Sequence, residues 1–285
     1  MKDYALLVNT CDKYRDAWPM FFYLLKKNWK DEWPDIYVNT ESCTEEVKGL
    51  KVSWLLNEKS DTVIDWGERL INAVNRIENE FVVLMLEDFY YENPIKIDII
   101  DKCVSYMKAH KEIISFQMVP AGECAKASFS SDESILNGFV KREKKGKYKI
   151  IAGPTIWRKS DLIRLTKKSD SPWDWEYFGS LRTWYYGKDV YCWYSKKESI
   201  FSYDIVHGGA IHRGKWVGYK MRELCEKYNY HLNYGEREIV EDWMKDEGVC
   251  KPPKLYKRLN KAIINRLKYL ENIVYGVKLR LIKGD

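Results

Sequence analysis

The chain has 285 residues, 45% of them hydrophobic and 32% charged, with a formal net charge of +6. That is the make-up of a soluble globular protein large enough to build a core without cross-links. It excludes a transmembrane helix, since nothing approaches 18 consecutive apolar residues, and an odd set of seven cysteines without C-x-x-C spacing argues against a disulfide framework or a zinc site.

In chain order, "DYALLVNT" (3–10) is an apolar run ending in polar residues and predicts a buried strand, followed by the loop "CDKYRD". "WPMFFYLLKKNW" (18–29) predicts a helix with Pro19 in its first turn. "PDIYVNTE" (34–41) predicts a second strand. In 65–80, Trp66, Leu70, Ala73, Val74 and Ile77 recur at helical spacing. "FVVLML" lacks alternation and predicts a third, central strand covered on both faces. This β-α-β-α-β order predicts a doubly wound α/β sheet, in which ligands bind at the carboxyl ends of strands. Those ends carry Thr10 with Asp12, Thr40 with Glu41, and Glu87 with Asp88. Neither G-x-G-x-x-G nor a P-loop is present.

The second half is less regular. Residues 95–110 read as a helix and 112–119 as a strand; 121–150 read as an irregular insertion with short strands. A strand or turn and a short helix follow in 151–168. Residues 169–187 are a Ser/Asp/Pro turn entering an aromatic, acidic helix, and 199–216 a strand leading to a Gly-rich loop with two histidines. After Pro252-Pro253, apolar residues from Leu255 to Leu281 recur at steps of three or four, predicting a long amphipathic helix or helix pair. Ten Lys/Arg against two acids between Lys251 and Asp285 leave the rest of the chain near neutral. Two readings of this tail stay open: peripheral binding to an anionic membrane, or a stripe packed on the body with its charges in water. The expected organisation is a body of 1–250, with a nucleotide-side half (1–119) and an acceptor-side half (120–250), and a basic helical tail (251–285).

"ALLVNTCDKYRDAWPMFFYLLKKNW", "WGERLINAVNRIENEFVVLMLEDFY", "TIWRKSDLIRL" and "SPWDWE" resemble, in order and spacing, the GT-A-type nucleotide-sugar glycosyltransferases of bacterial surface-polysaccharide clusters. The resemblance covers roughly residues 4–216 and implies a GT-A-like, Rossmann-like mixed sheet. It also implies a D-x-D-type motif holding Mg²⁺ or Mn²⁺ on the donor diphosphate. The matching triplet is Leu86-Glu87-Asp88, with the last acid present and the first replaced by Leu, so Asp88 is the metal candidate and Glu87 a donor contact. Hard oxygen ligands suit such a cation, which would neutralise the departing diphosphate. The resemblance places Thr10, Asp12 and Tyr14 near the nucleoside and Thr40 and Glu41 near base or ribose. Trp66 and Arg69 open the next helix, where a guanidinium reaches a diphosphate. In "SPWDWE", Glu176 and then Asp174 are candidate general bases, with Trp173 and Trp175 as an acceptor-sugar platform. His207 or His212 would complete the metal shell, and Lys215 would grip the diphosphate.

The expectation is a glycosyltransferase moving a sugar from a nucleotide-diphosphate donor to a hydroxyl of a glycan or lipid-linked glycan. Inverting chemistry is favoured, and retaining chemistry is left open. The expected location is the cytoplasm, including the inner face of the membrane. A sugar nucleotidyltransferase is the competing enzyme, although "NTCDKYRD" lacks the glycines such a loop carries. A non-catalytic glycan-binding module would keep the tryptophans without needing strand-tip acids. Nucleic acid is not an expected partner, because the basic tail holds no recognised motif.

Overall fold

The structure is a computed structural model that describes residues 2–57, 64–120, 136, 138–194, 199–203, 209–241 and 255–282, with the side chains of 255–262 left aside. Its centre is an eight-stranded mixed sheet. The strands are β1 (Tyr4–Asn9), β2 (Ile36–Thr40), β3 (Val52–Leu56), β4 (Phe81–Met85), β5 (Ile113–Pro120), β6 (Phe139–Lys141), β7 (Thr155–Arg158) and β8 (Asp189–Trp193). Their spatial order is β3-β2-β1-β4-β7-β5-β8-β6. β1, β2, β3 and β4 are parallel neighbours, β5 pairs parallel with β8, and β7 and β6 run the other way. This is the doubly wound mixed sheet expected. β7 lies between β4 and β5, so strands from either side of residue 119 interleave in one sheet.

The sheet is covered on both faces, which is why its inner strands read as unbroken apolar runs. From β1, Tyr4, Leu6 and Val8 enter one core while Ala5 and Leu7 enter the other; β4 divides in the same way. The first core is closed by α1 (Trp18–Asn28) and α3 (Ile97–Ala109). The second is closed by α2 (Trp66–Asn75), α4 (Lys159–Leu165), Trp157 and Trp175.

Two strands of this sheet, β3 and β8, lie where the sequence pattern predicts none. β3 intervenes before "FVVLM", so that strand is the fourth in sequence, although it lies beside β1 in space. β3 sits at the sheet edge and is only partly buried, which weakens its apolar signal. β8 pairs parallel with β5. The strand expected at the start of 199–216 is absent among the described residues there, and most of the insertion expected in 121–150 lies outside them.

Residues 172–186 form a helix in three pieces: α5 (Pro172–Asp174), a π turn (Trp175–Gly179) and α6 (Ser180–Tyr186). Ser171 caps it, its side chain accepting from the Asp174 N–H. A small sheet follows, built from β9 (Ile211–His212), β10 (Lys215–Val217) and β11 (Ile239–Val240), with α7 (Gly218–Tyr228) after β10. Arg213 and Gly214 both have positive φ and make the two-residue turn between β9 and β10.

The tail is one helix, α8 (Leu255–Leu281). It docks against α6 and the π turn. Arg182, fully buried, donates to both Asp170 oxygens at 3.1 and 2.5 Å and to Asn272 Oδ1 of α8 at 2.7 Å. Gly276 lets the helices touch, since a Cβ there would lie 2.9 Å from the Arg182 carbonyl oxygen. The stripe beginning at Ile263 packs on none of the described residues of the body. Asn272, Gly276 and Leu279 dock instead, and the apolar residues of the stripe face outward.

Candidate active site

A cleft of about 310 Å³ opens at the carboxyl ends of β1 and β4. It is lined by Thr10, Tyr14, Trp66, Arg69, Glu87, Asp88, Trp173 and Glu176 among the expected residues, joined by Asn9, Cys11, Leu86, Ala152 and Pro172.

Thr10 continues β1 and accepts from the buried Trp18 indole at 2.9 Å. Arg69 is buried on the first turn of α2, donating to the Thr10 carbonyl at 3.3 Å and pairing with Glu41 at 2.5 Å. Its charge is therefore anchored at the cleft wall. Asp12, Thr40 and Glu41 stand beside the cleft without lining it. Asp12 accepts from Thr40 Oγ1 (2.7 Å), Ser42 Oγ (2.7 Å) and the Cys43 N–H (3.0 Å). Burial works against its charge, but these hydrogen bonds outweigh it and hold the carboxyl well below the usual range. The Asp12 N–H donates to Glu41 at 2.6 Å, so these three residues brace the loop between β2 and β3 against the first loop.

Glu87 and Asp88 follow β4 after Leu86. Burial, and then the Asp88 charge, push Glu87 well above the ordinary glutamate value. Burial pushes Asp88 up to about 6. Asp88 Oδ1 is buried without a hydrogen-bond partner among the described residues. Gly209, in left-handed backbone, presses against the Asp88 carbonyl, leaving 3.3 Å to where a Cβ would stand. An orphaned buried carboxylate oxygen beside a second buried acid is a fitting donor set for a hard divalent cation. Mg²⁺ in particular takes one or two carboxylates and fills its shell with water and substrate phosphate. Among the described residues no third His, Cys, Asp or Glu joins them. His207 lies outside the described residues. His212 lies in β9 and does not line the cleft. Lys215 is engaged with Glu238 at 3.0 Å.

A basic group that acts on the acids comes from a segment with no site character in the sequence. Arg237 binds Asp16 with two nitrogens (2.8 and 2.7 Å), stacks over Tyr14 at 4.4 Å, and favours the charged forms of Glu87 and Asp88.

Glu176 sits in the π turn. Burial raises its pKa, while the hydrogen bond its Oε1 accepts from the Ala152 N–H at 2.8 Å pulls the other way. The π turn widens the helix where this carboxylate enters the cleft, a common use of such bulges. Asp174 lies outside the lining and pairs with Lys268 of α8 at 3.1 Å. The two tryptophans differ sharply. Trp173 is 77% exposed at the cleft rim. Trp175 is wholly buried between Trp66 and Trp157 and donates to Thr166, so it belongs to the core and cannot be a sugar platform. Residues 173 and 175 are about 200° apart on a helix, so only one can face outward.

Behind the cleft wall, the buried Asn39 donates to Asn9 and Asn57 donates to Asn39 at 2.7 Å, linking the tips of β1 and β2. This leaves Asn9 Nδ2 buried without a partner.

The fold and cleft define an α/β protein of Rossmann-like build with an acidic site at its strand tips. No protein-family model matches the chain, and no curated protein matches it. Among solved structures it is similar to S. aureus TarS 1–349 at 14% identity and TM-score 0.43, over 70% of this chain and 59% of that one. The same protein with UDP-GlcNAc gives 14% identity and TM-score 0.40, over 80% and 72%. A UDP-glucose pyrophosphorylase with UDP-glucose gives 10% identity and TM-score 0.42, over 70% and 92%. The chain thus spans 59% of the length of the TarS 1–349 chain.

Proposed function

We propose that the protein is a glycosyltransferase that moves a sugar from a nucleotide-diphosphate donor to a hydroxyl of a growing glycan, by single displacement with inversion. One observation carries this reading. A single cleft holds a buried acid pair with an unsatisfied carboxylate oxygen and, separately, a glutamate whose proton affinity burial raises. The two acidic groups suit different tasks. Asp88, with Glu87, would hold Mg²⁺ or Mn²⁺, which when bound offsets the charge developing on the diphosphate. Glu176 takes the proton of the attacking hydroxyl. A carboxylate with raised pKa is a stronger base than an exposed one, and the Ala152 N–H fixes its orientation.

Arg69 adds a cation at the donor side, held in place by Glu41. Asn9 Nδ2 offers an unused donor for a carbonyl of the base or a hydroxyl of the ribose. Trp173 presents an exposed ring at the rim for the apolar face of an acceptor sugar.

The test supplies a panel of UDP-, GDP-, CMP- and dTDP-sugars, with and without Mn²⁺, and measures nucleotide release by wild type and Asp88→Ala. The expected result is metal-stimulated release of one nucleotide, lost in the variant. A parallel arm supplies nucleoside triphosphate and sugar phosphate. Pyrophosphate release there, with no turnover of any nucleotide sugar to free nucleotide, would replace the transferase reading by nucleotidyl transfer.

A further inference from the structure

α8 has two opposed faces. One is docked: Lys268 pairs with Asp174, Asn272 with Arg182, the Tyr275 hydroxyl donates to the Arg164 carbonyl at 3.2 Å, and Leu279 reaches the core. At about 100° per residue these positions cluster around Asn272. Ile263, Leu267, Leu270, Val274, Val277 and Leu281 lie about 180° from it, in a stripe about 27 Å long. All six are exposed, between 39% and 76%. The helix is therefore held by polar contacts, one glycine and Leu279, while its most apolar face meets none of the described residues of the body.

We propose that this outward face binds the surface of an anionic lipid bilayer, with α8 lying in the plane of the interface. Charge decides the occupant. Arg266 and Lys278 flank the stripe on opposite sides, about 60° from its centre, and Arg280 follows farther round. The one acid among the described side chains of α8, Glu271, is paired with Lys167 of the body. Between Lys251 and Asp285 the sequence holds ten Lys/Arg and two acids. An apolar stripe flanked on each side by a basic side chain matches an interface with acyl chains below and phosphate headgroups around it. A second copy of the chain would set like charges against each other across a symmetric contact. No described helix is long and apolar enough to cross a membrane, which suits an in-plane helix.

This inference stands whatever reaction the cleft performs. If the transfer reading holds, it also sets where the acceptor arrives. α8 packs on the π turn that carries Glu176, with Lys268 Nζ 6.0 Å from the Phe178 ring centroid. The lipid surface would then lie about one helix diameter, ~10 Å, from that turn.

The test floats the full chain with phosphatidylcholine vesicles, with and without phosphatidylglycerol. Wild type should bind only the anionic vesicles. The triple variant Leu267→Gln, Leu270→Gln, Val274→Gln should weaken binding by about tenfold or more, since affinity scales with inserted apolar area. The triple variant Arg266→Gln, Lys278→Gln, Arg280→Gln should weaken it by about fivefold per residue. All six positions are exposed on α8, so melting temperature and circular dichroism should match wild type for both. Absence of binding to anionic vesicles overturns the proposal, as does binding indifferent to the stripe variant. A dimer seen by light scattering and dissolved by the stripe variant, without vesicle binding, assigns the face to a second copy instead.

Discussion

Replacing Arg182 by Met tests how the tail is fastened to the body. The guanidinium has no exposed side-chain area and its partner Asp170 is 5% exposed. The variant removes two bonds to that carboxylate and one to Asn272. Asp170 would keep only the Lys167 N–H at 2.9 Å, leaving a buried charge without a counter-charge. Removing one member of such a pair costs about 3–5 kcal/mol. Asp170→Asn alone should cost a similar amount. The double variant should cost clearly less than the sum, with a coupling of about 1–3 kcal/mol for groups in direct contact. Urea titration followed by circular dichroism gives the three values. Trypsin cleavage within α8 should begin at lower urea in each single variant, because Asn272 and Gly276 dock on the same residue. A loss below about 1 kcal/mol for Arg182→Met, or strict additivity in the double variant, would refute the reasoning.

Glu176→Gln should leave donor affinity intact in calorimetry and lower turnover by about 10²–10⁴-fold, the usual contribution of a positioned base. In wild type the rate should fall as pH drops through the Glu176 pKa, which burial sets above the ordinary glutamate value, so the acid limb lies above that value too. Asp88→Asn should stabilise the metal-free protein near neutral pH, on the order of 1–3 kcal/mol. Burial raises this carboxyl to about 6, so the folded state loses stability as pH climbs from the ordinary aspartate value through about 6. Melting curves with a chelator should show that gain vanishing at acid pH. Trp175→Ala should cost about 3–5 kcal/mol as a core deletion, while Trp173→Ala should leave stability within about 0.5 kcal/mol and raise the acceptor KM.

What the sequence disclosed follows from how locally each feature is encoded. β1, β2 and β4 were legible because strands buried on both faces need unbroken apolar runs. Their tips were legible because polar residues end those runs abruptly. β3 was hidden because an edge strand half in water carries a weak pattern. Trp173 and Trp175 were indistinguishable because a helix sends residues two apart to nearly opposite sides. Arg237 gave no signal, since its partner Asp16 is 221 positions away in sequence. In α8 the apolar period was plain, but periodicity names a face without saying what it meets. The docking was written in Asn272, Gly276 and Lys268, residues that no hydropathy pattern marks as contacts.

The π turn sets the phase between two fixed points of its helix. Trp175 is locked between two tryptophans before it, and Arg182 is locked on Asp170 after it. The wide turn between them brings two fixed points into phase. Removing one residue from Trp175–Gly179 would restore a regular helix and ease the backbone locally. It would also turn one anchor against the other by about 100° and carry Glu176 off the cleft. A single-residue deletion in this window should therefore empty the cleft of this carboxylate even though the glutamate stays in the sequence.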